Sequence, residues 1–244
     1  MLQKFSSCSS AFGLVSNDNF RKILKAVRGA CGPVFWSTLS YAQEGEDLVL
    51  KRILDKRTTG FYVEVGCHHP FRFSNTYLFY KRGWRGICID PLPGTARRFK
   101  RWRPRDIAVE LGVALRPSTL TYFMFDESAV NTFDGNLARH VEVQGKYKIV
   151  EKRKIDAEPL FSIIERYLPA SVTHIDFFSV DVEGLDLEVL RSNDWGRFSP
   201  EVVIAECLDS DLVAVQDNPV VRFMAEVGYR AYAKTGHSVF FLRT

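Results

Sequence analysis

The chain has 244 residues, 46% hydrophobic and 25% charged, with 33 Lys+Arg against 29 Asp+Glu. That length suits one α/β domain with or without an extension, and the composition excludes a disordered chain. A net charge of +4 is too mild to imply nucleic acid by itself. The five cysteines, Cys8, Cys31, Cys67, Cys88 and Cys207, form no CxxC pair. They argue against a zinc site or disulfide framework and for reduced thiols in a cytoplasmic protein.

Residues 1–37 read as an N-terminal helical extension. Met1 to Phe12 lacks the apolar core of a secretory signal, and no run approaches the length of a spanning helix. Over 19–36, Arg21, Lys22, Lys25 and Arg28 alternate with Phe20, Ile23, Leu24 and Val27. This pattern predicts a basic amphipathic helix packed on its own domain or, less favoured, resting on an anionic membrane.

A single domain is expected over 38–244. Its first helix spans about 44–54, and strand one is 61–66. A helix over 74–82 takes Ser74 as its cap and Gly83 as its stop. Strand two, 86–90, is followed by a turn at Pro93-Gly94 and a basic helix ending before Pro104. Strand three is about 106–113, and 119–125 alternates like an exposed edge strand. Residues 126–154 read as an irregular insertion or lid. A helix at 157–168, a fourth strand at 175–181, a helix at 185–192 and a fully apolar fifth strand at 202–205 follow. A helix at 219–227 and a hairpin of 229–234 with 238–242 close the chain. Strands alternating with helices predict a mostly parallel sheet with one antiparallel strand.

Strands one and two each end in a carboxylate, Glu64 before Gly66 and Asp90 some 24 residues later. A glycine turn lets a ligand approach the backbone, and an acid after the second strand suits ribose hydroxyls. The turn Gly66-Cys67-His68-His69-Pro70 keeps a single glycine where a dinucleotide site needs three, which counts against an NAD-dependent oxidoreductase. Glu64 is unfavourable to phosphate and suits a cationic ligand. S-adenosylmethionine, with its ammonium and sulfonium, fits this pair of acids better.

Six segments carry a resemblance. They are Tyr41-Ala-Gln43-Glu-Gly-Glu-Asp47, Gly60-Phe-Tyr-Val-Glu64-Val-Gly66-Cys-His-His69-Pro70, Ser74-Asn75-Thr76, Gly83-Trp84-Arg85-Gly86, Ile89-Asp90-Pro91 and Ser179-Val-Asp181-Val-Glu183-Gly184. In this order the chain resembles the FkbM family of S-adenosylmethionine-dependent methyltransferases over about 40–206. The resemblance implies a Rossmann-like class I methyltransferase, with a seven-stranded mostly parallel sheet, helices on both faces and a C-terminal antiparallel hairpin. It also implies O-methyl transfer to a hydroxyl of a sugar, glycan or secondary metabolite. Cys67 stands where the family commonly has a smaller residue.

Methyl transfer needs an acceptor oxygen aligned with the sulfonium methyl and a base for its proton. The expected cofactor residues are Gln43, Glu64, Gly66, Asn75 and Asp90. Gln43 and Asp47 resemble the family's upstream motif, which implies that they close over the cofactor; the alternative is a solvated helix face. Asn75 and Ser74 either bond the cofactor's methionine end or cap a helix. The expected catalytic residues are Asp181, Glu183 and His68, with Asp181 as base or acceptor anchor. A Mg²⁺ site of Asp181, Glu183 and Glu206 is a less favoured alternative to metal-free chemistry. The basic run Arg97 to Arg105 is weighed as a nucleic-acid surface. A solvated helix face with Phe99 and Trp102 packed inward is favoured, with docking of an anionic carrier as a variant.

Overall fold

A computed structural model describes residues 37–208 and 211–244 of the protein. The chain divides into two compact units, Met1–Leu39 and Ser40–Thr244. The helix expected over 19–36 lies outside the described residues.

The second unit begins with α1 (Glu46–Ile53), then β1 (Phe61–Val65), α2 (Tyr77–Lys81), β2 (Arg85–Ile89), α3 (Thr95–Trp102) and β3 (Ile107–Val109). Next come β4 (Gly112–Val113), β5 (Ser118–Phe125), a 3₁₀ turn (Ser128–Val130), α4 (Gly135–Val143), β6 (Ile149–Glu158) and α5 (Leu160–Tyr167). The chain closes with β7 (Phe177–Val180), α6 (Asp186–Arg191), β8 (Val202–Glu206), a 3₁₀ turn (Ala214–Asp217), α7 (Pro219–Glu226), β9 (Tyr229–Lys234) and β10 (Ser238–Arg243).

Seven strands form one sheet in the order β3-β2-β1-β7-β8-β10-β9. Neighbours are parallel from β3 to β8, and β10 runs antiparallel to both of its neighbours. This is the expected class I methyltransferase architecture. The central strands β1 and β7 are buried along their whole length, as strands covered on both faces must be. On one face, Val63, Val65, Ile89 and Phe178 pack under Ile163 and Ile164 of α5, Val189 of α6 and Met224 of α7. On the other, Tyr62, Cys88, Phe177 and Phe240 pack under Leu50 of α1, Phe79 of α2 and Phe99 of α3. Each such side chain contributes roughly 1.5–3 kcal/mol by leaving water.

Register decides where the site lies. Val65 pairs with both Ile89 and Val180, and Val180 pairs with Ala205. The carboxyl ends of β2, β1, β7 and β8 therefore finish level. Asp90, Gly66, Asp181 and Glu206 emerge at one rim, where open α/β sheets bind ligands.

Several sequence expectations shift. Strand three breaks into β3 and β4, and β4 belongs to a second, three-stranded sheet of order β4-β6-β5. The stretch 126–154 is not irregular. It holds a 3₁₀ turn, α4 capped by the Asp134 carboxylate, and about half of β6, which pairs antiparallel with β5. Helix α2 starts three residues later than expected. Ser74 accepts the Tyr77 N–H at 3.1 Å without being the helix boundary. On α3, Phe99 is buried as expected but Trp102 is 55% exposed.

One strong internal feature escaped the sequence. Arg103, at the end of the basic run, is fully buried. It donates to Asp106 (2.6 Å), the Tyr62 hydroxyl (2.9 Å), Thr76 Oγ1 (2.8 Å), Ser74 Oγ (3.1 Å) and the Pro70 carbonyl (3.0 Å). A buried guanidinium is tolerated only with its fork so filled. Its i,i+3 spacing to Asp106 was the one available hint.

Candidate active site

The turn after β1 is shaped by backbone. Gly66 has φ +81°, and a Cβ there would drive into the Asp181 carbonyl oxygen. Only glycine lets the ends of β1 and β7 approach this closely. Its N–H donates to Ile89 O at 2.9 Å. His68 follows at φ 44°, and its N–H donates to Asp90 Oδ2 at 2.6 Å. Asp90 Oδ1 accepts the Leu92 N–H at 2.8 Å. One carboxylate thus fixes both loops that flank it.

Gly66, His68 and Asp90 line a cavity of about 300 Å³. Its walls are apolar at Val65, Ile89, Leu111, Val113, Tyr122 and Phe133. The segment between β5 and β6 forms its roof. Arg72 grips Glu127 through two bonds, at 3.1 and 2.9 Å, and His68 Nε2 meets Ser128 Oγ at 2.9 Å. Thr132 Oγ1 donates to the Glu183 carbonyl at 2.9 Å. The lid expectation at 126–154 therefore corresponds to a structured roof tied down at three points.

A second cavity of about 190 Å³ adjoins the first and shares Gln43, Phe73, Asp181 and Glu183 with it. The rest of its lining includes Glu44, Glu46, Asn75, Glu206, His237 and Ser238. No lysine or arginine is among its lining residues. Sequence reading missed Glu44, Glu46 and His237, which come from the α1 approach and the β9–β10 turn. His237 Nδ1 lies 2.5 Å from Glu44 Oε1, and its N–H donates to Glu44 Oε2 at 2.9 Å.

Asp181, Glu183 and Glu206 place one carboxylate oxygen each within 4.8 Å of one another. Such a set can offer hard oxygen ligands to a divalent cation, or acceptors to a hydroxyl-rich molecule. Solvent reaches Asp181 inside the cavity. The enclosing walls still strip much of its hydration and Glu46 adds a like charge, lifting its carboxyl to about 6. Burial raises Glu183 and Glu206 too, with Asp181 the like charge that adds most to both. Glu206 Oε2 is buried without a hydrogen-bond partner. Behind them Asp186, 4% exposed, is raised to about 8 by burial and by Asp181, against the lowering pull of the Val182 and Gly184 N–H groups.

The remaining candidates fall as follows. Asn75 lines the second cavity and donates through Nδ2 to Ser179 Oγ at 2.9 Å. Gln43 is exposed within both cavities. Asp47 does neither thing expected of it. It is buried, accepts from Ser40 Oγ (2.6 Å) and the Tyr41 N–H (2.8 Å), and so folds 40–47 back on itself. Glu64 lines neither cavity. Its carboxylate lies on the opposite side of β1 from Val65, accepts from Thr76 Oγ1 at 2.5 Å, and sits 3.9 Å from Arg103. Burial raises it to about 7, with Arg103 opposing. As placed, it supports the turn from beneath rather than meeting a ligand. His68 is lowered to about 4 by burial and by Arg72, and its Nδ1 has no partner. It faces the cavity as a neutral ring.

The Methyltransferase FkbM domain matches residues 64–231. The chain belongs to the FkbM methyltransferase family. It is a methyltransferase with S-adenosylmethionine as its cofactor. No curated protein matches it. Solved structures with a similar chain course include a 1,6-didemethyltoxoflavin-N1-methyltransferase of Burkholderia thailandensis with bound 1,6-didemethyltoxoflavin and S-adenosylhomocysteine (10% identity, 96% of this chain and 92% of that one, TM-score 0.43). An O-methyltransferase of Bacillus cereus in complex with SAH is 11% identical, over 95% of this chain and 93% of that one, with TM-score 0.41. A TehB-like SAM-dependent methyltransferase of Corynebacterium glutamicum is 11% identical, over 93% and 97%, with TM-score 0.42. Among the described residues, no helix is long and apolar enough to cross a membrane.

Proposed function

We propose that this FkbM-family enzyme transfers the methyl group of S-adenosylmethionine to a hydroxyl of a sugar, glycan or other polyhydroxylated metabolite held in the acidic cavity. The observation that carries this reading is the convergence of Asp181, Glu183 and Glu206 beside a separate, partly apolar chamber. The larger cavity suits the cofactor. Asp90 would hold the ribose, the Gly66 turn would let the ligand meet backbone, Leu111 and Val113 would flank the base, and Gln43, common to both cavities, would meet the methionine end, while Asn75 faces the smaller cavity beside it. Asp181, shared by both cavities, stands at the junction where methyl and acceptor must meet.

A hydroxyl is a poor nucleophile until its proton has somewhere to go. An ordinary carboxylate is a weak base, and one raised to about 6 is better matched to neutral conditions. Asp181 therefore accepts the proton, while Glu183 and Glu206 orient the acceptor through its other hydroxyls. His68, already bonded to Ser128, positions the roof. Cys67, Cys88 and Cys207 are unpaired thiols, in keeping with a cytoplasmic setting.

The close carboxylates also favour a second reading, in which a divalent cation bridges them and holds the acceptor oxygen. Methyl-labelled S-adenosylmethionine incubated with a panel of sugars and nucleotide sugars, with and without a chelator, tests both. Label recovered as an alkali-stable methyl ether supports the oxygen acceptor, and label on nitrogen overturns it. Turnover unchanged by chelator removes the cation.

A further inference from the structure

Helix α3 turns Arg97, Lys100 and Arg101 to solvent at i, i+3, i+4 spacing, opposite the buried Phe99. No carboxylate among the described residues pairs with any of the three. Next to them sit two exposed aromatic rings, Trp102 (55% exposed) and Phe71 (37%), and Phe73 (44%), two residues beyond Phe71, is exposed as well. Phe71 meets Trp102 edge-on, with centroids 5.9 Å apart and planes at 88°, and meets His69 the same way at 4.5 Å and 86°. The Arg101 guanidinium lies 5.3 Å from the Trp102 ring, and that of Arg72 4.4 Å from Phe73. Phe71, Trp102 and the three basic residues line neither cavity, but Phe73 lines both.

An apolar cluster on a solvent-facing surface, rimmed by unpaired cations, marks a contact surface. Two details select the occupant. Rings packed edge-to-face form a knob and leave no row of open parallel faces on which nucleic-acid bases would stack. Aromatic rings beside Lys and Arg also match the headgroup level of a bilayer, where rings enter the interface and cations meet anionic lipid.

We propose that Phe71 and Trp102, with Arg97, Lys100 and Arg101, dock the enzyme on an anionic phospholipid bilayer, setting the cavity mouth at Phe73 against the lipid surface. The acceptor is then one presented at that surface, such as a polyhydroxylated lipid headgroup. This last step rests on the hydroxyl-acceptor reading above, whereas the docking itself does not.

Vesicle sedimentation of the full chain tests it. The protein is expected to bind vesicles of phosphatidylcholine mixed with phosphatidylglycerol, to ignore phosphatidylcholine alone, and to be released by salt. Combining R97Q, K100Q and R101Q is expected to weaken binding by about a hundredfold, because each basic residue near the surface contributes separately. Trp102→Ala is expected to weaken it by about tenfold. Calorimetric binding of S-adenosylhomocysteine unchanged in the triple variant shows that it is folded and keeps the cofactor reading separate. Three results would overturn the proposal. They are no binding of wild type to anionic vesicles, equal binding by the triple variant, or salt-sensitive binding to an RNA oligonucleotide in preference to vesicles.

Discussion

The two cavities share Asp181, Glu183, Gln43 and Phe73, and are otherwise built from opposite materials. The larger has apolar walls, a roof from the segment between β5 and β6, and two acids of its own, both already engaged: Asp90 by the His68 and Leu92 N–H groups and Glu127 by Arg72. The smaller gathers carboxylates from the ends of β7 and β8, the loop after β7 and the start of α1, with His237 beside them. Apolar walls with a few fixed polar groups suit a cofactor that must be held one way. Crowded carboxylates with raised proton affinity suit an acceptor that must give up a proton. On the proposed reading, one rim of one sheet would carry donor chemistry beside β2 and β1 and acceptor chemistry beside β7 and β8.

The sharpest way to break this comparison is Asp181→Asn. Turnover is expected to fall by about 10²–10⁴ with S-adenosylmethionine affinity nearly unchanged. Equal loss of binding and turnover would place Asp181 on the cofactor side instead. Arg103 belongs to neither chamber, so Arg103→Ala should act through stability. Stranding Glu64 and Asp106 without their cation is expected to cost about 3–5 kcal/mol in urea unfolding. A variant of unchanged stability would mean the network contributes little. Asp90→Ala is expected to weaken S-adenosylmethionine by about tenfold or more through lost ribose bonds, read by calorimetry.

A further effect lies in pH. Asp186 holds its proton up to about 8 in the folded protein, whereas an unfolded aspartate releases it near 4. The native state then binds the extra proton, so stability should decline as pH rises through that interval. Tm measured from pH 5 to 8 should flatten in Asp186→Asn. Turnover should rise through about pH 6 as Asp181 deprotonates; a profile flat there would remove it as the base.

Much of the fold was legible because the strands are short apolar runs bounded by glycine and proline, and β10 follows a tight turn. Strand-end acids could be placed because register follows from the parallel order. What burial and direction decide was not legible. Glu64 and Val65 are adjacent in sequence yet face opposite sides of β1, so a carboxylate read as a ligand partner became a support. Arg103 and Arg101 share a basic run, yet one is fully buried and the other exposed. Residues 126–154 looked irregular because β6 is largely exposed and carries few apolar positions, and its partner β5 lies across the excursion in sequence.

The chamber at Asp90 is expected to hold the cofactor and the chamber at Glu206 is not. Titrating S-adenosylhomocysteine into Asp90→Ala and Glu206→Gln tests it most directly. Binding at least about tenfold weaker is expected in the first, and wild-type affinity in the second. Wild-type affinity in Asp90→Ala together with a loss in Glu206→Gln would contradict it.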